Sequence, residues 1–206
     1  MLRKMIYPKI ETLLNTAAGF LHEKGFTPNQ LTFAGLGLNV VSGALFMLGL
    51  FPAAGLMLLV AGLGDMLDGA LARTSGRASK FGAFLDSVVD RYSDFFVFGG
   101  LAGHFAVTGR MGWFLLVMGI IAGGFVTSYS KARAENFIDA CSVGVFERPE
   151  RLIALAVGAI LPGLMGLVIW VLFFGTQATA VQRILYTQSL LAEPAAARSS
   201  DPAKPL

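Results

Sequence analysis

Long apolar runs alternate with short polar connections over most of the chain. Six of these runs each approach the roughly 20 apolar residues that an α-helix needs to cross a bilayer core. They cover approximately residues 31–50, 53–74, 82–108, 111–136, 150–173 and 177–194. Pro52, Gly109 and Gly175 mark three of the connections between them. The pattern therefore predicts an all-α integral membrane protein with six transmembrane helices.

The segment before the first run has a different, amphipathic pattern. Its apolar residues recur at helical spacing on one face, and they are Ile6, Ile10, Leu13, Leu14, Ala17, Phe20 and Leu21. Residues 1–26 are therefore predicted to form a cytoplasmic amphipathic helix in the membrane interface, although an ordinary helix packed on the bundle would have the same pattern. The small and polar residues 195–206 predict a disordered cytoplasmic tail. Residues 27–194 are then the transmembrane domain.

Positive charge is concentrated on one side of the predicted membrane. Only 14% of the residues are charged, against about 25% in soluble domains. The basic residues lie in the N-terminal segment, in the second and fourth connections and in the tail, whereas Arg110 alone lies on the opposite side. By the positive-inside rule, both termini and the two basic connections are cytoplasmic in a multi-pass protein of the cytoplasmic membrane. We expect membrane lipids, and no nucleic acid, among its partners.

Four carboxylates occur inside the apolar runs, where each charge costs roughly a few kcal/mol to insert. Asp65 and Asp68 share one helix face in the second run, and Asp86 and Asp90 share one in the third. In an antiparallel hairpin the two pairs lie at matching depths, so Asp65 can face Asp90. Four close anions need cations between them, and all-oxygen ligands favour Mg²⁺ or Mn²⁺. We therefore predict a site for two divalent cations.

Other interpretations of these acids stay open. Some of them would form helix-end salt bridges with neighbouring basic residues, which are Arg73, Arg77, Lys80 and Arg91. Asp94 continues the stripe of Asp86 and Asp90 by one turn, either as an outer group of the site or as a partner of Arg91. A cation transporter would also place acids in apolar helices, but spread through the membrane depth. An intramembrane prenyltransferase would have two separated aspartate motifs, whereas this chain has one compact block.

The four acids belong to a longer motif. Residues 65–90 read Asp65-x2-Asp68-Gly69-x2-Ala72-Arg73-x8-Gly82-x3-Asp86-x3-Asp90. This string resembles the full signature of the CDP-alcohol phosphotransferase family, with every motif position present, and the likeness covers most of residues 20–190. The resemblance implies a metal-dependent, homodimeric membrane enzyme. Such an enzyme transfers the phosphatidyl group of a CDP-linked lipid to an alcohol and releases CMP.

The resemblance also implies roles for individual residues. Asp65, Asp68, Asp86 and Asp90 would bind the two metal ions, and Asp90 would double as the general base for the attacking hydroxyl. The CDP-lipid, CDP-diacylglycerol, would be bound by residues of three segments. These residues are Asn29, Gln30, Leu31, Thr32, Gly69, Arg73 and Ser79. Among them Arg73 would contact the pyrophosphate.

Three further basic residues bear on the acceptor alcohol. Lys131 lies near the end of the fourth run, Arg151 at the start of the fifth, and Arg183 inside the sixth, where a cation needs a partner or a cavity. The strings around them resemble the bacterial phosphatidylinositol phosphate synthases of the family, in which the corresponding side chains hold the phosphate of inositol phosphate. The resemblance thus implies inositol phosphate as acceptor. Glycerol 3-phosphate, the acceptor of a phosphatidylglycerophosphate synthase, and an archaeal-type lipid donor stay open.

Overall fold

The structure is a computed structural model that describes the backbone of residues 2–192 and the side chains of residues 12–192. This part of the chain forms seven α-helices and no β-strand. The helices are α1 (Leu2–Glu23), α2 (Pro28–Met47), α3 (Phe51–Thr74), α4 (Lys80–Val107), α5 (Met111–Ala134), α6 (Arg148–Ile160) and α7 (Met165–Ala192). The all-α prediction is confirmed here. The predicted tail at 195–206 lies outside the described residues.

Helix α2 organises the first half of the bundle. Its start is set by a capping box, in which Thr27 Oγ1 accepts a hydrogen bond from the N–H of Gln30 and the Gln30 side chain accepts one from the N–H of Thr27. α3 runs antiparallel to α2, α4 runs parallel to it, and both pack along its length. α3 and α4 make little direct contact with each other. They therefore straddle α2 and leave space between themselves.

The crossing of α2 and α4 is set by two glycines. A Cβ atom on Gly43 would collide with the backbone carbonyl of Phe96, and one on Gly100 would collide with the backbone of Gly43. Backbones this close exclude a side chain at either position. The crossing fixes the depth at which α4 presents Asp86 and Asp90 beside α2.

We expect Gly100→Ala to lower the melting temperature of the detergent-solubilised protein, because the added methyl group forces α2 and α4 apart. Overpacking of this kind costs roughly 1–3 kcal/mol. Gly99→Ala is the matched control, since a Cβ atom there would meet nothing within 4 Å and alanine favours a helix over glycine. Equal melting temperatures for the two variants would show that the crossing tolerates a side chain.

The second half of the bundle packs against the first through α6 and α5. α5 and α7 run parallel, in contact where Gly123 lies against Thr176. α6 runs antiparallel to α3, with Gly55 against Ala156. The shared apolar core includes Phe46, Leu58, Phe98, Ile120, Leu155 and Leu172. This apolar core lies in the half of the bundle away from the four acids. The acids and the charged side chains that contact them lie in the opposite half.

The boundaries predicted for the fifth and sixth spans are wrong. The sequence predicted a break near Gly175, whereas the structure has it at residues 161–164, between α6 and α7. Pro162 lacks an N–H to continue α6, and Gly163 has φ +84°, which glycine adopts at little cost. Gly175 lies inside α7, where a Cβ atom would collide with the ring of Phe146. Its role is therefore close packing and not a turn.

Four of the described helices, α2, α3, α5 and α7, are long and apolar enough to cross a membrane. α4 has 28 residues but includes Asp86, Asp90, Arg91 and Asp94. α6 has only 13 residues, a length of about 20 Å against a hydrocarbon core of about 30 Å. The count of six spans therefore stays a prediction.

Helix α1 packs on the C-terminal part of α3. Ala18 is fully buried against Ala70 and Leu71. Leu13 and Phe20 on the same helix are 71% and 60% exposed. α1 thus has one surface that packs on the bundle and further apolar side chains that do not. Its position in a membrane interface stays a prediction.

Candidate active site

The acids of α3 rest on α2. Thr32 donates a hydrogen bond of 2.8 Å to Oδ2 of Asp68, whose side chain is buried. Gly35, almost one turn further along α2, lies beside Asp65, since a Cβ atom there would come within 2.8 Å of Asp65 Oδ1. On α2, Thr32 therefore supplies a hydrogen-bond donor to Asp68. Gly35, which has no side chain, leaves room for the carboxylate of Asp65. α2 forms the floor of the gap between α3 and α4.

A cation from α6 lies between the acids of α3 and α4. Arg148 Nη1 is 2.7 Å from Asp65 Oδ2 and 2.8 Å from Asp90 Oδ1. Arg148 Nε is 3.2 Å from Asp94 Oδ1, and Arg91 Nη2 is 3.5 Å from Asp90 Oδ2. Acids that face each other inside an apolar bundle need positive charge between them. In this structure Arg148 supplies most of that charge.

A cavity of about 390 Å³ opens beside these acids, and we name it the acidic cavity. Asp65, Asp86, Asp90 and Arg148 line it, together with apolar residues of α3 and α6. Within the described part of the chain, no three acids, histidines or cysteines are grouped as a ready ion site. The residues nevertheless suit divalent cations, because carboxylate oxygens are the donors that these ions prefer. The position between Asp65 and Asp90 already holds a positive charge.

A larger cavity of about 790 Å³ lies on the other side of Arg148. We name it the basic cavity, because five cations and two acids line it. These residues are Arg91, Lys131, Arg148, Arg151 and Arg183, with Glu135 and Glu147. The structure thus brings together Lys131, Arg151 and Arg183 from three helices. Their predicted role, to hold the phosphate of an acceptor, stays a prediction.

Two arginines of the basic cavity are buried and held by their neighbours. Arg151 is 1% exposed, and its Nη2 lies 2.5 Å from Asp94 Oδ2. Arg183 is 3% exposed, and it donates hydrogen bonds to the backbone carbonyls of Thr127 and Val143. Both guanidinium groups are therefore oriented before any ligand enters, which lowers the conformational entropy lost on binding.

The two cavities are parts of one continuous site. Arg148 and Pro149 line both of them. Pro149 lies in the first turn of α6, where its fixed φ suits the start of a helix. A chain of ion pairs runs from Asp90 through Arg148 and Asp94 to Arg151. Charge at the acids of the acidic cavity is thus linked directly to a cation of the basic cavity.

The residues predicted to bind the CDP-lipid have varied positions. Thr32 donates to Asp68 at the floor of the gap between α3 and α4. Gln30 completes the cap of α2, and Leu31 packs on the cluster that joins α1 to α3. Ser79 is the N-cap of α4 and accepts a hydrogen bond of 3.0 Å from the N–H of Gly82. Each of these has a structural role, and their binding of a lipid stays a prediction.

The other three predicted lipid-binding residues lie near the ends of α2 and α3. Asn29 is exposed in the first turn of α2, and Arg73 is exposed in the last turn of α3. A Cβ atom on Gly69 would come within 3.4 Å of Arg73 Nη1. The lack of a side chain at Gly69 therefore leaves the guanidinium group of Arg73 accessible beside α3.

The position of Arg148 between the acids does not follow from the sequence pattern. Among the described side chains, no ion pair joins the four acids to Arg73, Arg77 or Lys80. Of the neighbouring basic residues that could have paired with them, only Arg91 does so, with Asp90. Asp94 pairs with Arg148 and Arg151, and not with Arg91. One feature of the sequence does indicate this contact. Arg148 begins an apolar helix, where an arginine needs an anion as partner, and the acids of the second and third apolar runs are such anions.

Comparisons with known proteins agree with this geometry. A family model described as CDP-alcohol phosphatidyltransferase matches residues 26–187. An archaetidylinositol phosphate synthase of Pyrococcus horikoshii is 35% identical over 186 residues, which cover 87% of this chain and 96% of the relative.

A solved bacterial structure extends the likeness to three dimensions. The phosphatidylinositol phosphate synthase of Mycobacterium tuberculosis, crystallised with CDP-DAG bound, is 33% identical and superposes with a TM-score of 0.80 over 90% of this chain and 96% of its own. The same enzyme in complex with manganese and citrate is 34% identical with a TM-score of 0.79, over 89% of this chain and 91% of its own. The chain therefore belongs to the CDP-alcohol phosphatidyltransferase family.

Proposed function

We propose that this membrane protein transfers the phosphatidyl group of CDP-diacylglycerol to inositol phosphate, giving phosphatidylinositol phosphate and CMP. One observation carries the proposal: a cavity lined by acids and a cavity lined by cations meet at Arg148. The first suits metal-assisted chemistry on a pyrophosphate, and the second suits an acceptor that itself bears a phosphate. The M. tuberculosis relative with CDP-DAG bound supports the donor.

The acids would hold the metal ions of the reaction. Asp65, Asp68, Asp86 and Asp90 would bind two ions, Mg²⁺ or Mn²⁺, whose positive charge would stabilise the departing phosphate. The manganese complex of the M. tuberculosis enzyme supports a divalent cation. Arg148 Nη1 now contacts both Asp65 and Asp90. It would have to move away when these carboxylates bind a metal ion, because the two cations would compete for the same oxygen atoms.

The side chains of the site would then divide the transfer between them. Asp90 would accept the proton of the attacking hydroxyl, whose oxygen forms a bond to the phosphorus that carries the lipid. The bond from that phosphorus to the bridging oxygen breaks, and CMP leaves with the electron pair. Arg73, beside Gly69, would stabilise the charge that develops on the pyrophosphate. Asn29, Gln30, Leu31, Thr32 and Ser79 would border the CDP-lipid.

The acceptor would lie in the basic cavity. Lys131, Arg151 and Arg183 would hold its phosphate, since arginine binds phosphate through two parallel hydrogen bonds. The volume of about 790 Å³ is ample for a phosphorylated ring. A neutral acceptor such as serine would leave these cations without an anion.

The membrane arrangement that fits this chemistry has six spans, α2 to α7, with both termini and the site on the cytoplasmic side. The charged residues of α4 would face the two cavities and Arg148, and not lipid. The short α6 would cross together with its connection to α7, and α1 would lie in the interface with Leu13 and Phe20 toward lipid. We expect a homodimer.

A panel of acceptors tests the reaction. Purified protein is given CDP-diacylglycerol and Mg²⁺ with one acceptor at a time, and CMP release is measured. We expect release with inositol phosphate, little with free inositol, serine or glycerol 3-phosphate, and none in EDTA. Release with glycerol 3-phosphate and none with inositol phosphate would overturn the acceptor, and no release with any acceptor would overturn the reaction. A matched donor with an archaeal-type lipid tests the alternative that the P. horikoshii relative raises.

A further inference from the structure

The basic cavity contains carboxylates that a phosphate site does not need. Glu147 and Glu135 line it among the five cations. A pocket that had only to hold a phosphate dianion would be weakened by a nearby negative charge, because like charges repel more strongly where water is excluded. Glu147 lies closest to the cations predicted to bind that phosphate, so its purpose needs a separate explanation.

The side chain of Glu147 is directed into the cavity and away from its own helix. Glu147 is the N-cap residue of α6, yet its side chain makes no capping hydrogen bond. Instead Oε1 accepts a hydrogen bond of 2.8 Å from Arg183 Nη2 and lies 3.9 Å from Lys131 Nζ. The Glu147 side chain is 46% exposed although that of Arg183 is 3% exposed. The carboxylate is thus held through Oε1 by a buried arginine, while the rest of the group is accessible from the cavity.

Only one of the two carboxylate oxygens is used by these contacts. Both involve Oε1, and Oε2 has no polar partner among the described side chains. An ionised carboxylate only accepts hydrogen bonds, so Oε2 requires a donor from a ligand or water. Hydroxyl groups are such donors, whereas the phosphate of an acceptor is not.

We propose that Glu147 determines the specificity for a polyol phosphate, by accepting hydrogen bonds from ring hydroxyls while Lys131, Arg151 and Arg183 hold the phosphate. This inference rests on the proposed function and adds the feature that distinguishes inositol phosphate from smaller phosphates. Hydrogen bonds to a charged acceptor are the stronger kind. A site built to bind hydroxyls discriminates against analogues that lack them, because such an analogue displaces water from the carboxylate without replacing its hydrogen bonds.

The test compares two ligands on one variant. Glu147→Gln keeps the shape of the side chain and removes its charge, and Glu150→Gln is the matched control, because Glu150 lies in the first turn of the same helix, is exposed and lines neither cavity. CMP release gives the KM of inositol phosphate and the inhibition constant of inorganic phosphate. We expect Glu147→Gln to raise the KM at least about 10-fold and to leave inorganic phosphate binding equal or tighter, with Glu150→Gln like the wild type.

The other results would overturn the inference in distinguishable ways. Weaker binding of both ligands would mean that Glu147 only positions Arg183 and Lys131. Tighter binding of both would mean that Glu147 only repels anions. An unchanged KM with a normal inhibition constant would remove Glu147 from the acceptor site while the proposed function stands. Failure of the wild-type protein to use inositol phosphate would instead reject the proposed function, and this inference with it.

Discussion

Asp90→Asn should lower CMP release by at least about 1,000-fold, because asparagine neither accepts the proton of the attacking hydroxyl nor supplies a negatively charged metal ligand. Asp90 lines the acidic cavity, and its Oδ1 lies 2.8 Å from Arg148 Nη1. The amide has nearly the same shape as the carboxyl group, so the packing of α4 is retained. The loss should therefore appear in kcat with the protein still folded.

The control for this change is Asp139→Asn. Asp139 is exposed in the connection between α5 and α6 and lines neither of the two cavities, so the same chemical change should leave CMP release at the wild-type level. Melting temperatures of both variants check that they fold. An Asp90→Asn variant that keeps more than about a tenth of the activity would exclude the residue as general base, because such a base contributes roughly 100-fold or more.

Arg148→Gln should destabilise the metal-free protein strongly, and divalent cations should restore most of the loss. Without the guanidinium group, Asp65 and Asp90 face each other with little positive charge between them. Removing one partner of such a buried ion pair costs about 3 kcal/mol or more, which corresponds to a fall in melting temperature of roughly 10 °C. A divalent cation held by these acids would replace the missing charge.

The measurement is the melting temperature of wild type and variant in EDTA and in Mn²⁺. We expect the rise on adding Mn²⁺ to be larger for Arg148→Gln than for the wild type, because the ion no longer competes with the arginine. Arg110→Gln is the control, since Arg110 is exposed at the opposite end of the bundle and should change neither value. A large fall in EDTA that Mn²⁺ does not reverse would mean that Arg148 has a structural role only.

The helices and the acids could be predicted because both depend on local pattern. Apolar runs bounded by Pro52 and Gly109 give α3 and α5 to within a few residues, since no distant contact decides where those helices end. The predicted end of α6 was wrong for a specific reason. Gly175 looked like a turn but serves the packing of Phe146, whereas Pro162 and Gly163 supply the real break.

The arrangement of the site depended on contacts that spacing along the chain does not encode. The matching depths of the two acid pairs along their helices predicted that Asp65 faces Asp90. In the structure both carboxylates contact one cation, Arg148. A simple hairpin would have packed α3 directly on α4, but both helices pack on α2, and the resulting gap has room for ligands. Arg148 lies 83 residues from Asp65 along the chain, so only the packing of α6 on α3 reveals that it enters this gap.

A titration of the purified, detergent-solubilised protein with Mn²⁺, followed by the paramagnetic resonance signal of the free ion, tests most directly whether the acids form a metal site. We predict saturable uptake of two Mn²⁺ ions per chain, with saturable binding weakened or lost in Asp86→Asn and unchanged in Asp139→Asn. Uptake that shows no saturation, or that is the same in Asp86→Asn as in the wild type, would contradict the proposed site.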